Sequence, residues 1–129
     1  MLVTLKKATV ADIPVLLELE KSVAGTKIYS PMLEESEWAE ALQNGAVILI
    51  EKGNTVVGNI SYEKKRESHI YISGLVIAPQ FQGQGIAREV MMQLLKKFKS
   101  TKRIDLVTHP DNKAALRLYQ SFGFIVESR

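Results

Sequence analysis

The sequence predicts a mixed α/β domain whose sheet begins antiparallel and ends with crossovers. Three apolar, β-branched runs, "AVILIE", "TVVGNISYEK" and "HIYISGLVIA", are separated only by "KGN" and "KKRES". Those connections are too short for crossover helices, so the strands run antiparallel. Two helix-patterned stretches precede them, and helix, strand and helix alternate after them. The predicted order is β-α-α-β-β-β-α-β-α-β.

Each element has its own signal. "LVTLKKAT" alternates and reads as the first strand. "DIPVLLELEKSVA" sets Ile13, Leu16, Leu17 and Val23 on one helical stripe, with Asp12 as N-cap and Pro14 in the tolerant first turn. "AGTKIYSPM" reads as a loop, and "LEESEWAEALQN" as a second, acidic helix closed by Asn44 and Gly45. After the three strands comes "PQFQGQGIAREVMM", a glycine loop running straight into a helix. Ile86, Val90 and Leu94, with Met91, Leu95 and Phe98, give that helix a wide buried face. "IDLVTH" is a strand, and "DNKAALRLYQSF" a helix with Ala115, Leu118, Tyr119 and Phe122 inward. "GFIVESR" starts a last strand.

The 129 residues suit one domain, 1–129, with a core that needs no staples. The chain has no cysteine, which removes disulfides, thiol catalysis and cysteine-ligated zinc, and no metal is expected. No apolar run approaches a membrane span and "MLVTLKKATVAD" lacks a signal-peptide pattern, so the expected compartment is the cytoplasm, without a membrane partner. A net charge of +3 suits a phosphorylated ligand without arguing for nucleic acid. "LLKKFKSTKR" is the most basic stretch. It reads as a solvated helix end, where cations are favoured, with a phosphate contact as the alternative.

Glycine sacrifices conformational entropy, so the loop needs a reason. One reason is that backbone N–H groups of residues 83–88 face an anion at a helix start, where unpaired donors and a partial positive charge meet. A side chain at Gly83 or Gly85 would then obstruct a diphosphate. The other is a tight strand-to-helix turn. The loop lacks the Gly-Lys-Ser/Thr ending of a P-loop. It is no dinucleotide fingerprint either, because hairpins precede it and Arg88 fills the sixth position.

A third pattern fits. "LVIAPQFQGQGIAREV" resembles the coenzyme A signature of the GNAT superfamily of N-acetyltransferases, Q/R-x-x-G-x-G/A, in register at Gln82, Gly85 and Ala87. "HPDNKAALRLYQSFGF" resembles the second half of the family pattern, with Asn112, Ala115, Tyr119, Gly123 and Phe124. The resemblance implies a GNAT-like mixed sheet with an antiparallel first half. Its fourth and fifth strands splay apart around acetyl-coenzyme A, the co-substrate. By the same resemblance, main-chain groups of Leu75, Val76 and Ile77 pair with the pantetheine arm, and one of their N–H groups polarises the thioester carbonyl. Gln82, Gly83, Gln84, Gly85, Ile86, Ala87 and Arg88 hold the diphosphate. Asn112 reaches the pantetheine, and Tyr119 protonates the leaving thiolate. Without the motif, Asn112 and Tyr119 read as a first-turn asparagine and a half-buried aromatic. The implied activity is acetyl transfer to a primary amine, on a small molecule or a peptide, by direct attack in a ternary complex. The alternative is a coenzyme A-binding regulatory module without turnover.

The chain departs from the family at several points. The positions that commonly hold a basic glutamate are Ser73 and Val107 here, and neither can take a proton. His69, Tyr71 and His109 lie nearby; His109 is one candidate and relayed water another, so no base is assigned. Family members recognise the acceptor with the N-terminal helices. There Glu34, Glu35, Glu37 and Glu40 either attract a cationic amine or form an exposed face with acids near a helix start. Tyr29 and Trp38 either line that pocket or, for Trp38, anchor the helix. Family members also continue into a seventh strand. Only "FIVESR" remains here, and an unpaired final strand predicts a homodimer.

Overall fold

The computed structural model describes residues 3–24, 32–66 and 68–126. Five strands form one sheet in the order β1 (Thr4–Lys7), β2 (Ala46–Lys52), β3 (Thr55–Arg66), β4 (His69–Ile77), β5 (Arg103–Leu106). The first three pairings are antiparallel and β4–β5 is parallel, as the short hairpins and the later crossover predict. Helices α1 (Ile13–Val23) and α2 (Glu35–Asn44) cover one face, and α3 (Ile86–Lys97) and α4 (Lys113–Ser121) the other.

Strand alternation builds two cores from one sheet. On β2, Ile48 and Ile50 point to the α3 side and meet Ile86, Val90, Met91 and Leu94. Val47 and Leu49 point the other way, to Ile13 and Leu16 of α1 and Trp38 of α2. Each fully buried Leu, Ile or Val stabilises the fold by roughly 1.5–3 kcal/mol, so both helical layers are fixed to the sheet. Gly58 leaves no room for a side chain between β3 and β4: a Cβ there would lie 2.2 Å from the Val76 carbonyl oxygen.

Several boundaries differ from the sequence reading, each for a local reason. β3 continues through "KKR", and the turn is taken at Ser68, in the left-handed region at φ 70°. Asp12 sits at the N-cap of α1, but its carboxylate accepts from the Thr9 N–H at 2.8 Å, closing the preceding 3-10 turn at Val10–Asp12. β5 ends at Leu106, which leaves His109 beyond the strand. The basic stretch puts Lys96 and Lys97 in the last turn of α3. They complement the helix dipole there, roughly 15 Å from the glycine loop at ~1.5 Å per residue.

Among the described residues no strand follows α4. Gly123, at φ 94°, turns the chain, and the Phe124 N–H closes back on the Tyr119 carbonyl at 3.1 Å. The donors expected to start a sixth strand are spent on capping the helix. Ile125 and Val126 are exposed.

Candidate active site

The fork in the sheet has a visible cause. β3 and β4 pair one to one as far as Ser61↔Gly74 and resume at Tyr62↔Ile72, which makes Ser73 an extra residue on β4. Such a bulge bends its strand. On the other side of β4, pairing with β5 begins at His69↔Arg103 and stops at Ile72↔Leu106, one residue before the bulge. From residue 73 onward, β4 has no neighbour on that edge among the described residues.

Register decides which backbone groups face the gap. The Ala78 N–H bonds the Val57 carbonyl at 2.9 Å, so the Ala78 main chain faces β3. Alternation then turns Ile77 and Leu75 outward and Val76 inward, paired with Asn59 of β3. Of the three residues expected to offer main-chain groups, Leu75 and Ile77 face the gap and Val76 is taken by β3. The Ile77 carbonyl accepts from Gln82 Nε2 at 2.9 Å, which ties the glycine loop to the strand end.

In that loop Gly83 and Gly85 have φ of 79° and 82°, and a Cβ on either would meet open space. Glycine is needed for the backbone conformation rather than to avoid a protein contact. The first helical bond of α3 runs from the Glu89 N–H to the Gly85 carbonyl at 3.1 Å. The N–H groups of Ile86, Ala87 and Arg88 therefore precede the ladder and point out of the helix start, where the dipole favours an anion. Gln84 receives a hydrogen bond from Lys52 Nζ at 2.9 Å, bringing an ammonium to the loop. The Arg88 guanidinium points elsewhere, over the Phe122 ring at 5.3 Å and onto Ser121 Oγ at 3.2 Å, which couples the loop helix to α4. Arg88 thus offers its N–H, not its charge.

On α4, Asn112 is the N-cap, its Oδ1 accepting from the Ala115 N–H at 3.2 Å. This fixes the amide and leaves Nδ2 as the donor for a ligand. Tyr119 is partly buried in the α3-side core, edge-on to Phe124 with ring centroids 6.0 Å apart. His109 Nδ1 accepts from the Asp111 N–H at 3.0 Å. In the neutral ring Nε2 then carries the proton, so no lone pair remains to take one from an amine. Ser73 donates to Ser61 Oγ at 3.0 Å, and Val107 is exposed. His69 lies at the far end of β4, its Nε2 2.7 Å from Asp105 Oδ2. Asp105 also accepts from Arg103 Nε, and this hydrogen bond chiefly holds its carboxyl below the usual aspartate pKa, with His69 adding to it against a smaller desolvation.

The α1–α2 side supplies anchoring. Trp38 is buried, and its Nε1 donates to the Met32 carbonyl at 3.1 Å. Tyr29 lies outside the described residues. Glu34 and Glu37 form a capping box at the start of α2, and Glu35 and Glu40 are exposed, so this is the helix-face arrangement. Glu20 was not singled out from sequence, yet it is only 5% exposed and its Oε1 accepts from the Met32 N–H at 2.8 Å. Burial pushes its carboxyl pKa up, opposed by the Met32 bond and reinforced by Glu37. An acid on the stripe of Ile13, Leu16 and Val23 was the available signal. Gly74 inside a strand pattern was the corresponding signal for the bulge.

A forked mixed sheet with backbone donors at the fork and an anion-receptive helix start defines a coenzyme A-binding acyltransferase architecture. Residues 14–124 match the Acetyltransferase (GNAT) family, and the chain belongs to that family. It is 26% identical over 78 residues to L-amino acid N-acetyltransferase AaaT of Escherichia coli (strain K12), covering 56% of this chain and 48% of that protein. The chain spans half or less of the length of the curated relatives it matches. Among solved structures it resembles GNAT family protein SP0256 from Streptococcus pneumoniae TIGR4, with TM-score 0.75, 26% identity, and coverage of 96% of this chain and 88% of that one. It also shares its fold with a GNAT family acetyltransferase from Elizabethkingia anophelis with acetyl-CoA bound, at TM-score 0.74, 21% identity, and coverage of 98% and 78%. Acetyl-coenzyme A is the co-substrate of this family. Among the described residues no helix is long and apolar enough to cross a membrane.

Proposed function

We propose that this chain transfers acetyl from acetyl-coenzyme A to a primary amine by direct attack in a ternary complex. The observation that carries the reading is the bulge at Ser73 where β4–β5 pairing stops, with the Leu75 main chain and the Ile77 N–H facing the gap and the Ile77 carbonyl tied to Gln82 of the glycine loop. Acetyl-coenzyme A supplies the activated acyl group and a thiol leaving group. The N–H groups of Ile86, Ala87 and Arg88 receive the diphosphate, with the Lys52 ammonium beside them. Leu75 and Ile77 add the pantetheine to β4 as a partial strand. The Leu75 N–H, nearest the fork, is the donor to the carbonyl oxygen where negative charge develops. Asn112 Nδ2 steadies the pantetheine. The amine nitrogen bonds to the acyl carbon, the C–S bond breaks, Tyr119 gives its proton to the thiolate, and water carries off the proton lost by nitrogen.

The second reading, a coenzyme A-binding module without turnover, is favoured by Ser73 and Val107 at the usual base positions and by the engaged Nδ1 of His109. A thiol-release assay over a panel of amines separates the two. Release above the acceptor-free rate is expected; calorimetric coenzyme A binding with no release from any amine would leave only the module.

The proposed compartment is the cytoplasm, as expected from the sequence. A homodimer is proposed as well, supported by the outer edge of β5, which has no strand neighbour among the described residues, and by exposed Val107, Ile125 and Val126. Light scattering after gel filtration is expected to give twice the chain mass, and a monomeric mass at micromolar concentration would count against it.

A further inference from the structure

We infer that the acceptor amine also carries a carboxylate, held several bonds away from the nitrogen by a basic cavity below the fork. This rests on the acetyl-transfer reading, since the fork is where the thioester is taken to lie. The cavity, of about 660 Å³, is lined by Lys65, Arg66, His69, Tyr71, Arg103 and Asp105. His69 and Tyr71 alternate with Ile70 and Ile72, which are buried in the α3-side core, so the cavity opens on the opposite face of the sheet. Its upper edge, the pair Tyr71↔Asp105, lies one residue below the last β4–β5 pair, Ile72↔Leu106.

Its charge selects the ligand. Three permanent cations line it against one carboxylate. That carboxylate, Asp105, is already engaged by Arg103 Nε at 3.0 Å and His69 Nε2 at 2.7 Å. Those partners already offset its charge, which leaves the lining with more cations than carboxylates. Lys65 Nζ lies 3.7 Å from Glu63 Oε2 at the rim and 5.5 Å from the Tyr71 ring centre. Arg66 has no carboxylate partner among the described residues, and a guanidinium fork matches a carboxylate in two hydrogen bonds. A purely cationic acceptor such as a polyamine is disfavoured here.

Position sets the spacing. Arg66 and Arg103 both pair with His69, three residues below the last pair before the fork, or roughly 10 Å at ~3.3 Å per residue. Lys65, over Tyr71, is nearer. The fitting acceptors have amine and carboxylate roughly 7–10 Å apart, which is about two or three extended residues. The side-chain amine of free lysine and the N-terminus of a very short peptide share this chemistry. The α-amine of a free amino acid, beside its own carboxylate, does not.

The test uses 4-aminobutyrate, 6-aminohexanoate and 8-aminooctanoate, each against its carboxamide, with acetyl-coenzyme A and the full chain. Wild type is expected to prefer the six- and eight-carbon acids over their amides by at least ~10-fold in kcat/KM, which is ~1.4 kcal/mol. Arg66→Gln is expected to bring that ratio towards one. Equal use of acids and amides, or a preference that survives Arg66→Gln, overturns the inference while leaving acetyl transfer intact. Free lysine and a Gly-Gly-Gly peptide, run alongside, separate the two sources. If no amine is acetylated, the acetyl-transfer reading fails. Calorimetry of 6-aminohexanoate and its amide on the coenzyme A-loaded protein then decides the cavity: a carboxylate-dependent affinity lost in Arg66→Gln supports it, and none rejects it.

Discussion

Gly85→Val is expected to weaken coenzyme A binding by two orders of magnitude or more while the sheet stays folded. Gly85 caps α3 at φ 82°, in the left-handed region. An L-residue pays roughly 1–2 kcal/mol to stay there, and a β-branched one more. If the backbone relaxes instead, the N–H groups of Ile86, Ala87 and Arg88 lose their common direction. If it holds, the valine side chain occupies space at the helix start that is open in the glycine form, where the diphosphate is proposed to lie. Either route removes charge-assisted hydrogen bonds to the diphosphate, worth about 1.5–3 kcal/mol each. Gly85→Asn divides the routes, because asparagine tolerates left-handed backbone but still fills the space. Calorimetry with coenzyme A reads both variants, and near-ultraviolet dichroism checks the core. A Gly85→Val dissociation constant within threefold of wild type would take the diphosphate away from this loop.

How much of this was legible in the sequence depends on the range of the interactions. The strands, the helical stripes and the loop-to-helix junction are local patterns, and Leu16, Val90 and Leu94 are buried where periodicity puts them. The fork is partly legible, since the motif implies it, but its cause is the pairing of Ser61 with Gly74 and Tyr62 with Ile72, a register between strands that no single segment encodes. The same non-locality hid the inward turn of the Val76 main chain and the tie between Gln82 and Ile77. Among the described residues the predicted last strand is not formed, for a different reason. "GFIVESR" has strand composition, but Gly123 and Phe124 close α4. For the acidic α2 the sequence left two readings open, and the capping box of Glu34 and Glu37 is the one in which acids serve the helix start. The basic cavity was hidden for the same non-local reason: Lys65 and Arg66 are far in sequence from Arg103, and strand pairing brings them together.

The second large effect concerns Tyr119. Tyr119→Phe is expected to lower kcat by about 100-fold with little change in coenzyme A affinity, the range typical for losing a positioned proton donor. The substitution is discriminating because phenylalanine keeps the ring that packs against Phe124. Any loss then belongs to the hydroxyl. An ordinary tyrosine near pKa ~10 gives its proton to a thiolate near ~8.5 at a cost of about 2 kcal/mol. The donor therefore helps most late in C–S cleavage, as negative charge gathers on sulfur, and barely in the ground state. Uniform binding would move KM, whereas a contact made only in the transition state moves kcat and kcat/KM together. Steady-state thiol release with a saturating amine, beside calorimetry of coenzyme A on the same variant, separates these cases. Wild-type turnover in Tyr119→Phe would transfer the protonation step to water, and a parallel collapse of coenzyme A binding would make Tyr119 a wall of the cleft rather than its acid.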